Sequence, residues 1–259
     1  MKTLATIKGL LFDLDGVLYV GSNVIDGAVE AVNKIRESGL PCRFITNTST
    51  LSLASLHQKI NALGFSISTD EIISAPQATL LYLKNEPAAV CYLLLADDVK
   101  KDFFDFPQSD TQANYVIVGD ISKAWSYPLL NKVFNCLMQG AKLIAIHKNR
   151  FWQTEEGLQM DIGGFIEGLE YASGAKAMIM GKPSANFFQI ALDDMGLKSE
   201  EVAIIGDDID VDVGGGQQVG LMGILAKTGK YRQLYTDSSS ITPDLILNSI
   251  KELPELLLP

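Results

Sequence analysis

Short apolar runs alternate along this chain with longer stretches in which apolar residues recur every three or four positions. "IKGLLFD" (7–13), "PCRFITN" (41–47), "AMIMGKP" (177–183), "EVAIIGD" (201–207), "LMGILAKTG" (221–229) and "PDLILNS" (243–249) have the length and β-branched content of buried strands. Between them lie helical patterns. In "DGAVEAVNKIRESG" the residues Ala28, Val29, Val32 and Ile35 fall on one face, with Asp26 placed to cap the start and Gly39 to end it. "SLASLHQKINALG" reads as a helix ended by Gly64, and "SANFFQIALDDMG" as another. Strands separated by helices predict βαβ units and a parallel sheet with helices on both faces. The same alternation recurs in "AVCYLLLAD", "ANYVIVGD", "PLLNKVFNCLMQG", "AKLIAIHKN" and "FIEGLEYASG". That block is long enough to fold as its own α/β unit. Because it separates two half-sheets, the expected organisation is α/β, a doubly wound parallel-sheet core of residues 1–79 and 178–259 carrying an α/β insertion of residues 80–177.

Composition narrows the function classes. With 47% hydrophobic residues in 259, the chain can bury one large core or two modest ones. The formal net charge of -10 argues against nucleic acid or an anionic membrane as a partner held by bulk electrostatics, so any bound phosphate must be met locally. Cys42, Cys91 and Cys136 lack zinc-site spacing and are odd in number, which fits a reducing, cytoplasmic setting. The N-terminal stretch lacks the apolar length and cleavage site of a signal peptide, and no run reaches the roughly 20 apolar residues that cross a bilayer.

The chemistry concentrates at strand ends, where an open parallel sheet binds its ligands. "LLFDLD" ends in Asp13 and Asp15, "RFITN" in Thr46 and Asn47, and "AIIGDDIDVD" in Asp207, Asp208, Asp210 and Asp212. One acidic strand end is usually a helix cap or a solvated turn. Several converging are different, because each like-charged pair at about 4 Å costs on the order of 4 kcal/mol at an effective dielectric near 20. A hard divalent cation such as Mg²⁺ offsets that repulsion and leaves coordination positions for water and a substrate phosphate. Asp13 and Asp15 lie two apart, facing one side of a strand, so one can attack phosphorus while the other handles the proton. Lys182, in "GKPS" between a strand and a helix, supplies a point charge toward the same edge. "GKPS" is not a P-loop, since Lys176 occupies the first glycine position. His57 reads as a surface residue, His147 as structural though able to face the site, and "KTGKY", with Lys227 and Lys230, as a solvated loop.

"FDLDGVLY", "FITNTS", "GKPS" and "IIGDDIDVDVGG", in that order with an insertion between the second and third, resemble the four motifs of the haloacid dehalogenase-like phosphatases, in their p-nitrophenylphosphatase-like branch. The resemblance covers nearly the whole chain and implies a Rossmann-like core with a large α/β cap domain inserted after the second motif. It makes Asp13 the nucleophile and a Mg²⁺ ligand, and Asp15 the general acid/base whose backbone carbonyl also binds the metal. Asp207 becomes the third protein ligand, Asp208 and Asp212 the residues that order metal-bound waters or support the ligands, and Thr46, Asn47 and Lys182 the hold on the transferring phosphoryl group. Asp210 exceeds the expected pattern. Arg150, Glu155 and Glu156, in the last loop of the insertion, are the candidates for substrate contact, and the chain crossings near Leu80 and Ala177 for hinges. The expected function is hydrolysis of a small phosphorylated metabolite through an aspartyl-phosphate, with a homodimer through the cap familiar among similar proteins. The alternatives are a phospho-accepting signalling receiver domain, disfavoured by Asp15 and the long insertion, and a phosphate-binding protein without catalysis.

Overall fold

The computed structural model describes residues 3–154 and 157–257. Its larger sheet has six strands in the spatial order Leu245–Leu247, Met222–Ala226, Val202–Gly206, Gly9–Asp13, Cys42–Thr46, Ile72–Ser74. Every neighbouring pair is parallel. The chain starts at the centre with Gly9–Asp13 and steps outward to Ile72–Ser74. It returns on the other side of the first strand with Val202–Gly206, then continues to the opposite edge. The winding therefore reverses between Gly9–Asp13 and Val202–Gly206, and the carboxyl ends of those two strands flank the crevice where such sheets take ligands. Both strands, and Met222–Ala226, are buried at every position, which is why they read as unbroken apolar runs rather than alternating ones.

The helix Ala28–Glu37 turns Ala28, Ala31, Val32 and Ile35 inward, and Gly39, at φ +84°, ends it as expected. Its start differs from expectation. Gly27, at φ +74°, begins the helix without a side-chain cap, and Asp26 instead pairs with Lys251 Nζ at 3.0 Å. The helix Leu53–Ala62 is capped by Ser52, whose hydroxyl accepts the Ser55 N–H at 3.2 Å.

A second, four-stranded parallel sheet has the order Met178–Ile179, Lys142–Ala145, Tyr115–Val118, Cys91–Leu94. The segment "AMIMGKP", grouped above with the larger sheet, is the edge of this one. Met178 lies opposite Ile144, and Met180 and Gly181 donate their N–H groups to Ala145 and Ile146 at 3.0 and 2.8 Å. The pairing carries the chain along the second sheet and delivers Lys182 to the seam between the two sheets. That seam is not a loose contact. One apolar cluster runs through Leu11, Ile45 and Phe187 to Leu93, Ile117, Ile146 and Met180, so both sheets share core. Cys42, Cys91 and Cys136 are buried free thiols. Among the described residues no helix is long and apolar enough to cross a membrane.

Phe12 and Phe44 stack beneath the crevice with ring centroids 5.5 Å apart, both fully buried. Phe44→Ala is expected to lower the unfolding free energy by about 3–5 kcal/mol, read from urea denaturation, because the cavity cannot collapse between two paired strands.

Candidate active site

Strand Gly9–Asp13 ends at its first carboxylate, and Gly16, at φ +97°, turns the chain back so that Asp13 and Asp15 both line one cleft of about 240 Å³. Asp13 is held firmly. Its Oδ1 accepts the Leu14 N–H at 2.7 Å and sits 2.8 Å from Lys182 Nζ. The same ammonium lies 2.6 Å from Asp212 Oδ1, and Lys182 is only 2% exposed. Asp13, Asp207 and Asp212 each bring an oxygen within 4.8 Å of the others, all three buried.

Local backbone geometry makes this convergence feasible. After Gly206 the chain enters a wide π-type helical turn over Ile209–Gly214. Asp208 stabilises that turn, its Oδ1 accepting the N–H groups of Asp210 and Val211 at 3.1 and 3.0 Å. Asp212 is thereby aimed back at the strand end, where its Oδ2 accepts the Asp208 N–H at 3.1 Å. A Cβ on Gly16 would stand 1.9 Å from Asp207 Oδ2, and one on Gly206 would stand 2.1 Å from Asp212 Cβ. Both positions tolerate nothing larger than hydrogen.

Lys182 and Lys230 together do not balance Asp13, Asp207, Asp208 and Asp212. Burial, then the charge of Asp212, pushes Asp13 up to about 7 despite Lys182 beside it. Burial and the charge of Asp13 hold Asp207 well above its ordinary value. Burial alone would lower Lys182, but Asp13 and Asp212 outweigh it and keep the ammonium charged. Asp207 has the poorest hydrogen bonding of the three. Its Oδ2 accepts the Lys230 N–H at 2.6 Å, while its Oδ1 is buried with no hydrogen-bond partner among the described residues. Excess negative charge, hard oxygen donors and an orphaned carboxylate oxygen fit a divalent cation.

The other expected residues divide. Thr46 is 2% exposed at its strand end, its hydroxyl 2.9 Å from that of Thr48. Asn47 lines the cleft, but its amide is engaged. It donates to the Lys182 carbonyl at 2.9 Å and accepts the Lys182 N–H at 2.8 Å, so it positions the lysine. Asp15 lines the cleft, burial raising its pKa while Lys59 and Lys230 oppose the rise. Asp210 faces away from the carboxylate cluster and accepts the Tyr235 hydroxyl. Arg150 is exposed, donates to Tyr235 at 3.3 Å and does not line the cleft. Glu155 and Glu156 lie outside the described residues. His57 contacts the Asn61 amide at 3.0 Å on its own helix.

Sequence reading undervalued Lys230 and His147. Lys230 is not a solvated loop residue. Its side chain is 19% exposed, and its N–H holds Asp207. The available signal was its position after yet another strand of the same sheet. His147, 4% exposed, lines the cleft with its Nε2 3.2 Å from the Ser49 hydroxyl.

A family profile described as haloacid dehalogenase-like hydrolase matches residues 10–106, and one described as HAD-hydrolase-like matches residues 179–253. The chain is 38% identical over 259 residues to the phospholysine phosphohistidine inorganic pyrophosphate phosphatase of Xenopus laevis, covering 97% of this chain and 95% of that one. It is 40% identical over 244 residues to human haloacid dehalogenase-like hydrolase domain-containing protein 2, covering 94% and 92%. The solved p-nitrophenyl phosphatase of Archaeoglobus fulgidus superimposes with a TM-score of 0.88 at 28% identity, covering 96% of this chain and 98% of that one.

Carboxylates with pKa values raised by folding stabilise the metal-free protein at low pH, and that contribution disappears as pH rises through the folded value, about 7 for Asp13. In EDTA, the part of stability owed to this cluster should therefore fall between pH 5.5 and pH 8. Urea midpoints at the two values, compared between the wild type and Asp207→Asn, should show the variant gaining stability relative to the wild type at pH 8 and gaining less, or losing, at pH 5.5.

Proposed function

The chain belongs to the haloacid dehalogenase-like hydrolases, and from that premise we propose that it is a Mg²⁺-dependent phosphatase of small phosphorylated metabolites that forms an aspartyl-phosphate on Asp13. The observation that carries this reading is the buried cluster of Asp13, Asp207 and Asp212 around Lys182 at the sheet's switch point, with Asp207 Oδ1 unsatisfied. Asp13, Asp207 and the backbone carbonyl of Asp15 would hold the ion, with Asp212 and Asp208 behind them. When bound, Mg²⁺ supplies the positive charge that draws electron density from the phosphoryl oxygens.

The protein's own groups then divide the work. Leu14 N–H and Lys182 fix Asp13 through Oδ1, leaving Oδ2 with no hydrogen bond among the described residues. One Asp13 oxygen forms a bond to phosphorus as the bond from phosphorus to the leaving atom breaks, and Asp15 gives that atom its proton. Burial favours the protonated form of Asp15 that this step needs. In the second half, Asp15 takes a proton from water, the water oxygen bonds to phosphorus, and the Asp13–phosphorus bond breaks to release inorganic phosphate. Lys182 neutralises charge on the phosphoryl oxygens, and Thr46 offers a hydroxyl to them. The side chains of His147, Asn149 and Asp161 reach the same cleft from the second α/β unit, which supports a cap that closes over the substrate and sets its choice. Phosphate monoesters are the central substrate class, with pyrophosphate and phosphoamides requiring the same transfer. Buried free thiols support a cytoplasmic protein. Asp15, one side chain away from the nucleophile, opposes the signalling-receiver alternative, because it would hasten loss of the phosphoryl group.

Asp13→Asn is expected to reduce Mg²⁺-dependent hydrolysis of p-nitrophenyl phosphate on the order of a thousandfold or more. Asp15→Asn should still accept the phosphoryl group from this substrate, whose leaving group needs no proton, and then stall. Acid quench followed by mass spectrometry should find the adduct on Asp13 in the stalled variant. Turnover by Asp13→Asn near the wild-type rate would reject the mechanism.

A further inference from the structure

The cleft has two walls of different chemistry. Lys182, delivered to the seam by the edge strand of the second sheet, stands with Lys59 and Lys230 on the side of the nucleophile, while residues further into the second α/β unit contribute Asp120, His147, Asn149, Trp152 and Asp161. That second wall contains no lysine or arginine among the described residues. Asp161 is 8% exposed. Its Oδ1 accepts the Ile162 N–H at 2.7 Å, which braces the start of the helix Gly163–Ser173. Among the described residues its Oδ2 has only His147 Nδ1, 3.8 Å away and outside hydrogen-bond reach. The contact with the adjacent Ile162 N–H accounts for the first oxygen and leaves the second without a hydrogen bond among the described residues.

His147 does not neutralise this carboxylate. The imidazole is fixed by Ser49 at 3.2 Å and by the Asn149 N–H at 3.4 Å, and burial holds its pKa below the usual value, so it is uncharged at neutral pH. Asp120 is likewise free of any lysine or arginine partner among the described residues, its Oδ1 accepting the Ser122 N–H at 2.6 Å. A largely buried carboxylate oxygen that faces a cleft keeps only part of its hydration and has no donor from the chain among the described residues. A donor arriving with the substrate supplies one, and an anion arriving there meets two formal negative charges.

Resting on the phosphatase reading above, we propose that Asp161 is a specificity-determining residue that receives a hydrogen-bond donor on the substrate's leaving group, an ammonium best and a hydroxyl next, and that anionic leaving groups are disfavoured. The phosphoryl group lies against Asp13 and Lys182 while the leaving group extends toward the second wall. His147 acts as a positioning residue that shapes the Asp161 side of the cleft without adding a positive charge to it.

Four substrates of nearly equal size separate these possibilities: ethyl phosphate, 2-hydroxyethyl phosphate, 2-aminoethyl phosphate and phosphoglycolate. With purified enzyme and Mg²⁺ at neutral pH, kcat/KM should be highest for 2-aminoethyl phosphate and lowest for phosphoglycolate, each differing from ethyl phosphate on the order of tenfold. Asp161→Asn should bring the ratio of 2-aminoethyl to ethyl phosphate toward one, chiefly through KM. If 2-hydroxyethyl phosphate leads and Asp161→Asn erases its lead, the donor is a hydroxyl and the assignment of Asp161 stands. Phosphoglycolate turned over as well as the amine, or a ratio unchanged by the substitution, would overturn the proposal while leaving the phosphatase intact. No turnover of these four or of p-nitrophenyl phosphate would overturn the phosphatase reading, and this one with it.

Discussion

The structure depends on an imbalance of buried charge. Lys182 bridges Asp13 and Asp212 in a place solvent barely reaches, and Asp207 stands beside them with an oxygen that nothing in the described chain satisfies. Breaking such a pair leaves an uncompensated buried charge, which costs about 3–5 kcal/mol. Keeping it intact still leaves more carboxylate than cation. On the proposed function, a cation and a phosphate group supply what this site lacks.

The surrounding architecture serves that site. The sheet's winding reverses between Gly9–Asp13 and Val202–Gly206, so two strands far apart in sequence end side by side. Gly16 and Gly206 let carboxylates approach backbone at distances no side chain allows. The edge pairing of Met178–Ile179 with the second sheet carries the chain to Lys182, and the Asn47 amide then clamps the lysine's backbone. Residues from every motif thus reach one volume, although several act on each other rather than on a substrate.

Much of this was legible in the sequence, for physical reasons that also mark where legibility stopped. Continuous burial writes itself as unbroken apolar runs, so the parallel sheet and the insertion could be read directly, and carboxylates ending such runs named Asp13, Asp15 and Asp207. Asp210 and Asp212 share a turn and a charge, and only the π-type geometry shows that one faces the cluster and the other faces Tyr235. Lys230 looked solvated because the carboxylates whose charge favours its ammonium, Asp207, Asp208 and Asp13, are brought to it from elsewhere by the fold. Asp26 sat correctly for a cap, yet Gly27 took a left-handed conformation and freed it for Lys251. Asp161 carried no local signal, since its meaning lies in the empty side of a carboxylate inside a cleft built by two sheets.

Calorimetric titration of Mg²⁺ into the metal-free protein at pH 6.5, repeated in buffers of different ionisation enthalpy, tests the charge imbalance most directly. Because carboxylates held partly protonated must deprotonate to ligate, binding should release protons in the wild type and be lost or severely weakened in Asp207→Asn. Binding without proton release, or equal affinity in the variant, would contradict the account.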